Sequence, residues 1–218
     1  MKSLNRKNTS LNDDFEDDES PFSGKMLGYS VNSFVVNTYT VPLDEAIVDP
    51  AYYRSVVNML YRAGEHDTVV FIINSPGGRL NGLQSLLDAV QSTNAKTAAC
   101  IVGECHSAAS IFALHCDVID VGVNATMLCH NVSYGYSGKG SDVLSHVEHI
   151  SAISEKLFRR TYKYFLTEKE IQEVLAGREL YLEAEQIAER SQKKQSGLEK
   201  EMKSAKKKLM QEIASDGT

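Results

Sequence analysis

Val69-Val70-Phe71-Ile72-Ile73-Asn74-Ser75-Pro76-Gly77-Gly78 decides the fold. It opens on an unbroken apolar run rich in β-branched residues, with no polar alternation. Such a run predicts a strand buried on both faces, as in a parallel sheet. The turn that ends it carries two glycines, and the helix after it has Leu80, Leu83, Leu87 and Val90 on one face. Residues 97–102 predict a second buried strand. After Gly103 comes a helix of small residues from about Ser107 to Leu114. Val118–Val121 and Thr126–Cys129 predict two further strands. Strand, helix, strand at this short spacing is a repeated βαβ pattern, so the class is α/β.

Upstream, ordered structure is expected to begin near Ser33. Phe34-Val35-Val36 and Tyr39-Thr40-Val41 read as strand. Pro50 then opens an amphipathic helix carrying Tyr53, Val56, Val57, Leu60 and Tyr61, closed by Gly64. Downstream, residues 134–140 form a glycine-rich loop. A long helix is predicted from about 141 to 165, with Val143, Val147, Ile150, Ile153 and Leu157 as its apolar stripe. Thr167 and Glu170 make a capping box that starts another helix, and Gly177 stops it. Leu180-Tyr181-Leu182 reads as a short strand, and helix resumes from Glu183. Three parts are expected: an acidic, solvated tail over 1–25, a domain over 26–190, and a lysine-rich helix or tail over 191–218.

The 218 residues suffice for one sizeable domain. A net charge of −6, no Trp and no basic stripe studded with aromatics argue against nucleic-acid binding. No apolar run approaches the roughly 20 residues that span a bilayer, and the first residues lack the apolar core of a secretory signal. Four cysteines, none in a C-x-x-C pair, lie in or beside apolar runs and read as reduced thiols of a cytosolic-type compartment. Cys105, His106, His115 and Cys116 fit no common zinc spacing, so no metal and no cofactor is expected.

Two turns that follow buried strands can carry chemistry, because functional groups of α/β proteins gather at strand carboxyl ends. In the first, Gly77 and Gly78 either make a plain tight turn or free backbone N–H groups to bind an oxyanion. In the second, Ser107 is either a helix N-cap or a nucleophile. The G-x-S-x-G elbow is absent. A nucleophilic serine needs a base, usually neutral imidazole. His66 lies in a polar turn, His115 in an apolar helix, and His146 and His149 outside the long helix's stripe. His106 adjoins Ser107, where side chains seldom meet. His130 ends a buried strand, where a catalytic group would emerge.

The order Ser75-Pro76-Gly77-Gly78, then Gly103-Glu104-Cys105-His106-Ser107, then Met127-Leu128-Cys129-His130 resembles the proteolytic subunit of the Clp protease family. The loop and long helix that follow, with Asp142, resemble that family's handle region. The likeness runs from about 67 to 190 and is looser over 34–66. It implies a Clp/crotonase-type spiral of βαβ units with a projecting helical handle. It further implies a serine endopeptidase with Ser107 as nucleophile, His130 as base, and the N–H groups of Gly78 and Ala108 as oxyanion hole. Glu179 stands where the family has its third, aspartate, member. The implied assembly is a homo-oligomer of heptameric, stacked rings that encloses polypeptide substrate, with an ATP-driven unfoldase as a common partner. Cys105, His106 and Val132 depart from the family pattern, as does a lysine-rich helix in place of its last strand, which suggests a divergent member of viral origin. Three alternatives stay open: a crotonase-type acyl-CoA enzyme, a viral maturation protease of the same fold, and a catalytically silent structural subunit.

Overall fold

In a computed structural model, residues 35–216 are described. The expected tail over 1–25 therefore lies outside the described residues. The first described element is β1 (Thr38–Leu43), and Phe34 of the expected earlier strand lies outside the described residues. Val35 and Val36 are 82% and 56% exposed and find no ladder, so their β-branched character is not enough to make strand. Pro50–Tyr53 is a 3-10 turn that leads into α1 (Arg54–Arg62). The buried run forms β2 (Thr68–Ser75), followed by α2 (Leu80–Ser92), β3 (Lys96–His106) and α3 (Ala108–Ala113). Then come β4 (Val118–Val121), β5 (Thr126–Cys129), α4 (Gly140–Tyr162), α5 (Glu168–Leu175), β6 (Leu180–Glu183) and α6 (Ala184–Asp216).

β1, β2 and β3 pair in parallel and in sequence order. The eleven-residue β3 then serves two partners. Ala98–Ile101 pair with β4, while Glu104–His106 pair with β5, both parallel. β6 closes the sheet antiparallel to β5. Val69, Phe71, Ile73 and Ser75 are buried to 1% exposure or less, and Phe71 meets Phe112 of α3 edge-on at 4.7 Å. Val70 and Ile72, on the other face, are only half-buried, so the strand is sealed on one side rather than two. The chain leaves β3 through α3 into β4 and then enters β5, and pairing of the last residues of β3 with Ser75 and with β5 brings the carboxyl ends of β2, β3 and β5 together.

α4 and α5 are tied down by α6. Arg190 donates to the Phe165 carbonyl at 3.2 Å and forks onto Glu170 at 3.0 and 2.8 Å. Lys194 is buried, and its Nζ reaches the Thr161 carbonyl at 2.5 Å. A cation on the last carbonyls of a helix satisfies orphan acceptors and the negative end of the helix dipole. Desolvation lowers the Lys194 pKa to about 8. α6 itself runs unbroken across residue 190. No described helix is long and apolar enough to cross a membrane.

Candidate active site

The turn after β2 is strapped by residues 45–47. The Ser75 hydroxyl donates to the Glu45 carbonyl at 2.7 Å and accepts from the Gly77 N–H at 3.2 Å. Ile47 N–H donates to the Gly77 carbonyl and Arg79 N–H to the Ile47 carbonyl, both at 2.7 Å. Gly78 is skipped by this exchange, and among the described residues its N–H has no partner. Its φ is 150°, and a Cβ there would stand 2.1 Å from the Ile47 oxygen. Gly77, at φ 87°, lies so close to the second turn that a Cβ would sit 2.7 Å from that of Ser107. Only glycine lets these two turns touch.

Ser107 adopts φ 55°, ψ −122°, a conformation that L-residues avoid. Strain of this kind costs about 1–3 kcal/mol and persists only where the surroundings over-determine it. Here Ser107 N–H donates to the Leu128 carbonyl at 2.8 Å, and the Ser107 carbonyl accepts the Ser110 N–H at 3.0 Å. Ala108, the first residue of α3, has an N–H without a partner among the described residues. Two unpaired N–H groups thus flank the serine, one from each turn.

Both turns open into a cleft of about 780 Å³ bordered by Gly78, Ser107, Ala108 and His130. The opposite wall is α4, which contributes His146, His149, Ile150, Ile153, Leu157 and Phe158. The segment after His130 is pinned by Asn131, whose side-chain amide donates to the Leu175 carbonyl at 3.0 Å and whose Oδ1 accepts the Val132 N–H at 2.8 Å. Among the described residues no hydrogen bond joins the Ser107 hydroxyl to the His130 ring. Such bonds commonly tighten only when substrate is bound.

Glu179 stands apart from this group. The β5–β6 ladder ends at the Cys129–Leu180 pair, and His130 and Glu179 are the next residues of the two strands beyond it. The carboxylate itself is exposed and accepts the Tyr181 hydroxyl at 3.1 Å. That bond holds the Tyr181 pKa up.

The sequence model of the Clp protease family matches residues 23–209. The chain belongs to the Clp protease family. Members are serine-type peptidases that assemble into oligomeric rings and degrade polypeptides. The mostly parallel sheet with its helices is consistent with that family's α/β fold. The match also extends past 34–190 on both sides, so the lysine-rich region up to residue 209 is within the family's span.

Cys105 is buried, as its apolar setting led one to expect, and His106 bonds Thr126 Oγ1 through Nε2 at 3.1 Å, so neither residue borders the cleft. His146, half-buried, and His149, exposed, both line it. Tyr136 stacks on the His146 ring at 4.1 Å. Ile150, Ile153 and Leu157 of the expected stripe line the cleft, and His146 and His149 extend that face at helical spacing. Behind the turn, burial raises the pKa of Cys105 and of Tyr162 and brings Cys129 to about 12. The backing of the nucleophile turn is therefore uncharged at neutral pH.

Proposed function

We propose that this protein is a serine endopeptidase in which Ser107 is the nucleophile and His130 the general base. His130 takes the Ser107 proton as the oxygen attacks a peptide carbonyl. The tetrahedral oxyanion is bound by the Gly78 and Ala108 N–H groups. Collapse of the intermediate passes the proton from His130 to the departing amine and leaves an acyl-enzyme. Water, deprotonated by His130, then releases the acid and frees Ser107. Glu179 is the third member, turning from Tyr181 to the imidazole and stabilising its charged form. The peptidase domain covers 26–190, and the far, lysine-rich part of α6 takes no part in the chemistry. Polypeptide substrate is degraded inside a ring of copies of this chain.

The observation that carries this proposal is the pairing, on one cleft, of a strained serine with two unpartnered N–H groups and a strand-end histidine. A structural subunit has no use for a serine held at φ 55° beside unpaired donors. Hydrolysis of fluorogenic peptides tests it. Ser107→Ala and His130→Ala should each abolish turnover and leave the fold intact. Loss of one oxyanion donor costs a serine peptidase about 10²–10³ in turnover, so losing the nucleophile must cost more. Acyl-CoA hydrolysis that survives Ser107→Ala would instead identify a thioester enzyme on the same scaffold.

A further inference from the structure

Behind the Ser107 turn lies a buried relay of hydroxyls that the chemistry above does not use. The hydroxyl of Tyr162, the last residue of α4, stands 2.5 Å from Ser110 Oγ. Ser110 Oγ in turn lies 2.7 Å from the Ser107 carbonyl oxygen and 3.3 Å from that of Leu128. Tyr162 is 1% exposed and Ser110 0%. Proton counting gives the relay a direction. A serine hydroxyl has one proton, and a carbonyl can only accept. Ser110 therefore donates to the Ser107 carbonyl, and Tyr162 donates to Ser110. Burial holds the Tyr162 pKa well above its ordinary value, so its proton stays in place across neutral pH.

The Ser107 carbonyl belongs to the same peptide group as the Ala108 N–H. A trans peptide is planar, and its C=O and N–H point in opposite directions. Whatever fixes the carbonyl toward the core fixes the N–H away from it, toward the cleft that Ala108 borders. The backbone N–H groups of Ser110 and Ile111 also reach this carbonyl, at 3.0 and 3.3 Å, but the hydroxyl makes the shortest of its bonds. We propose that Tyr162 and Ser110 are positioning residues that hold the Ser107–Ala108 peptide with its N–H aimed at the developing oxyanion. Neither touches substrate. This rests on the reading of the Ala108 N–H as an oxyanion donor.

The test compares Tyr162→Phe and Ser110→Ala with the wild-type chain. Tyr162→Phe keeps the ring packed against Phe158 and loses one oxygen. Each variant should lower kcat about tenfold, a fraction of the 10²–10³ for losing a donor outright, with KM unchanged. Affinity for a peptide aldehyde, whose adduct carries the oxyanion, should fall in step with kcat. The double variant should be no worse than either single one, because both break one relay. Wild-type kcat and aldehyde affinity in either folded variant would overturn the proposal, and Ser110→Ala decides it if Tyr162→Phe does not fold. A wild-type Ser107 that fails to react with a fluorophosphonate would sink the underlying peptidase reading instead.

Discussion

At the scale of single residues, the candidate site is organised around one unfavourable backbone conformation. Ser107 at φ 55° suits glycine better than serine. Ser107→Gly should therefore stabilise the fold by about 1 kcal/mol relative to Ser107→Ala, the lower end of the strain such a residue stores. Both variants lack the nucleophile, so urea denaturation isolates the strain, and equal midpoints would mean there is none to release. Glu179 gives a second expectation. Its carboxylate is engaged by Tyr181, so Tyr181→Phe should free it for His130 and raise kcat. Glu179→Gln should lower kcat severely, by analogy with the roughly 10⁴ lost when a triad acid becomes an amide. Near-normal turnover in Glu179→Gln would remove this residue from the mechanism. Residue types and strand ends singled out Ser107 and His130 in the sequence, and the family resemblance added Gly78 and Ala108; all four border one cleft. The Tyr181–Glu179 bond and the Tyr162–Ser110 relay were not legible in the sequence, since a hydroxyl's partner depends on side-chain direction and, for the relay, on two residues 52 apart meeting across the core.

At the scale of elements, β4 and β5 fall where their apolar runs put them, whereas β2 runs on to Ser75 and β3 crosses Gly103 to His106, because the pairing of Ser75 with Cys105 and of Glu104–His106 with β5 prolongs the ladder. The extent of α6 was less readable. Its near half is held by Arg190 and Lys194, two cations whose acceptors on α4 and α5 are remote in sequence. The Glu170–Arg190 pair is about a fifth exposed on each side. The Arg190 fork, against opposing desolvation, lowers the Glu170 pKa from 4.5 to about 2. A carboxylate with a depressed folded pKa stabilises fully above its unfolded value and loses that contribution as pH falls through the folded one. Glu170→Gln should thus lower the melting temperature at pH 7, by a few degrees for about 1–2 kcal/mol. Its deficit should shrink between pH 4.5 and about 2, the two values that bound the shift. A deficit independent of pH would show that the charge of Glu170 does not contribute to stability.

At the scale of the whole molecule, the core is a single apolar body threaded with thiols. Cys105, Cys116 and Cys129 are buried, and desolvation raises all three, Cys116 and Cys129 from 9.0 to about 12. Groups whose folded pKa is raised stabilise fully below the unfolded value and lose that contribution as pH rises through the folded one. Stability should therefore fall from pH 9 toward 12, and Cys116→Ala should flatten that decline in a pH series of thermal melts. Assembly is the other property at this scale. Ile150, Ile153 and Leu157 are committed to the cleft wall, while Leu144, on the exposed start of α4, is 65% open. On the proposed ring assembly, Leu144→Glu should give smaller particles by light scattering, and an unchanged particle size would place the proposed contact away from the start of α4. The central claim is that the chain cleaves peptide bonds through Ser107. It is tested most directly by reacting the full-length protein with a fluorophosphonate and locating the adduct by mass spectrometry. The adduct is predicted on Ser107 and should vanish in His130→Ala; an adduct on Ser75 or Ser110, or none at all, would contradict it.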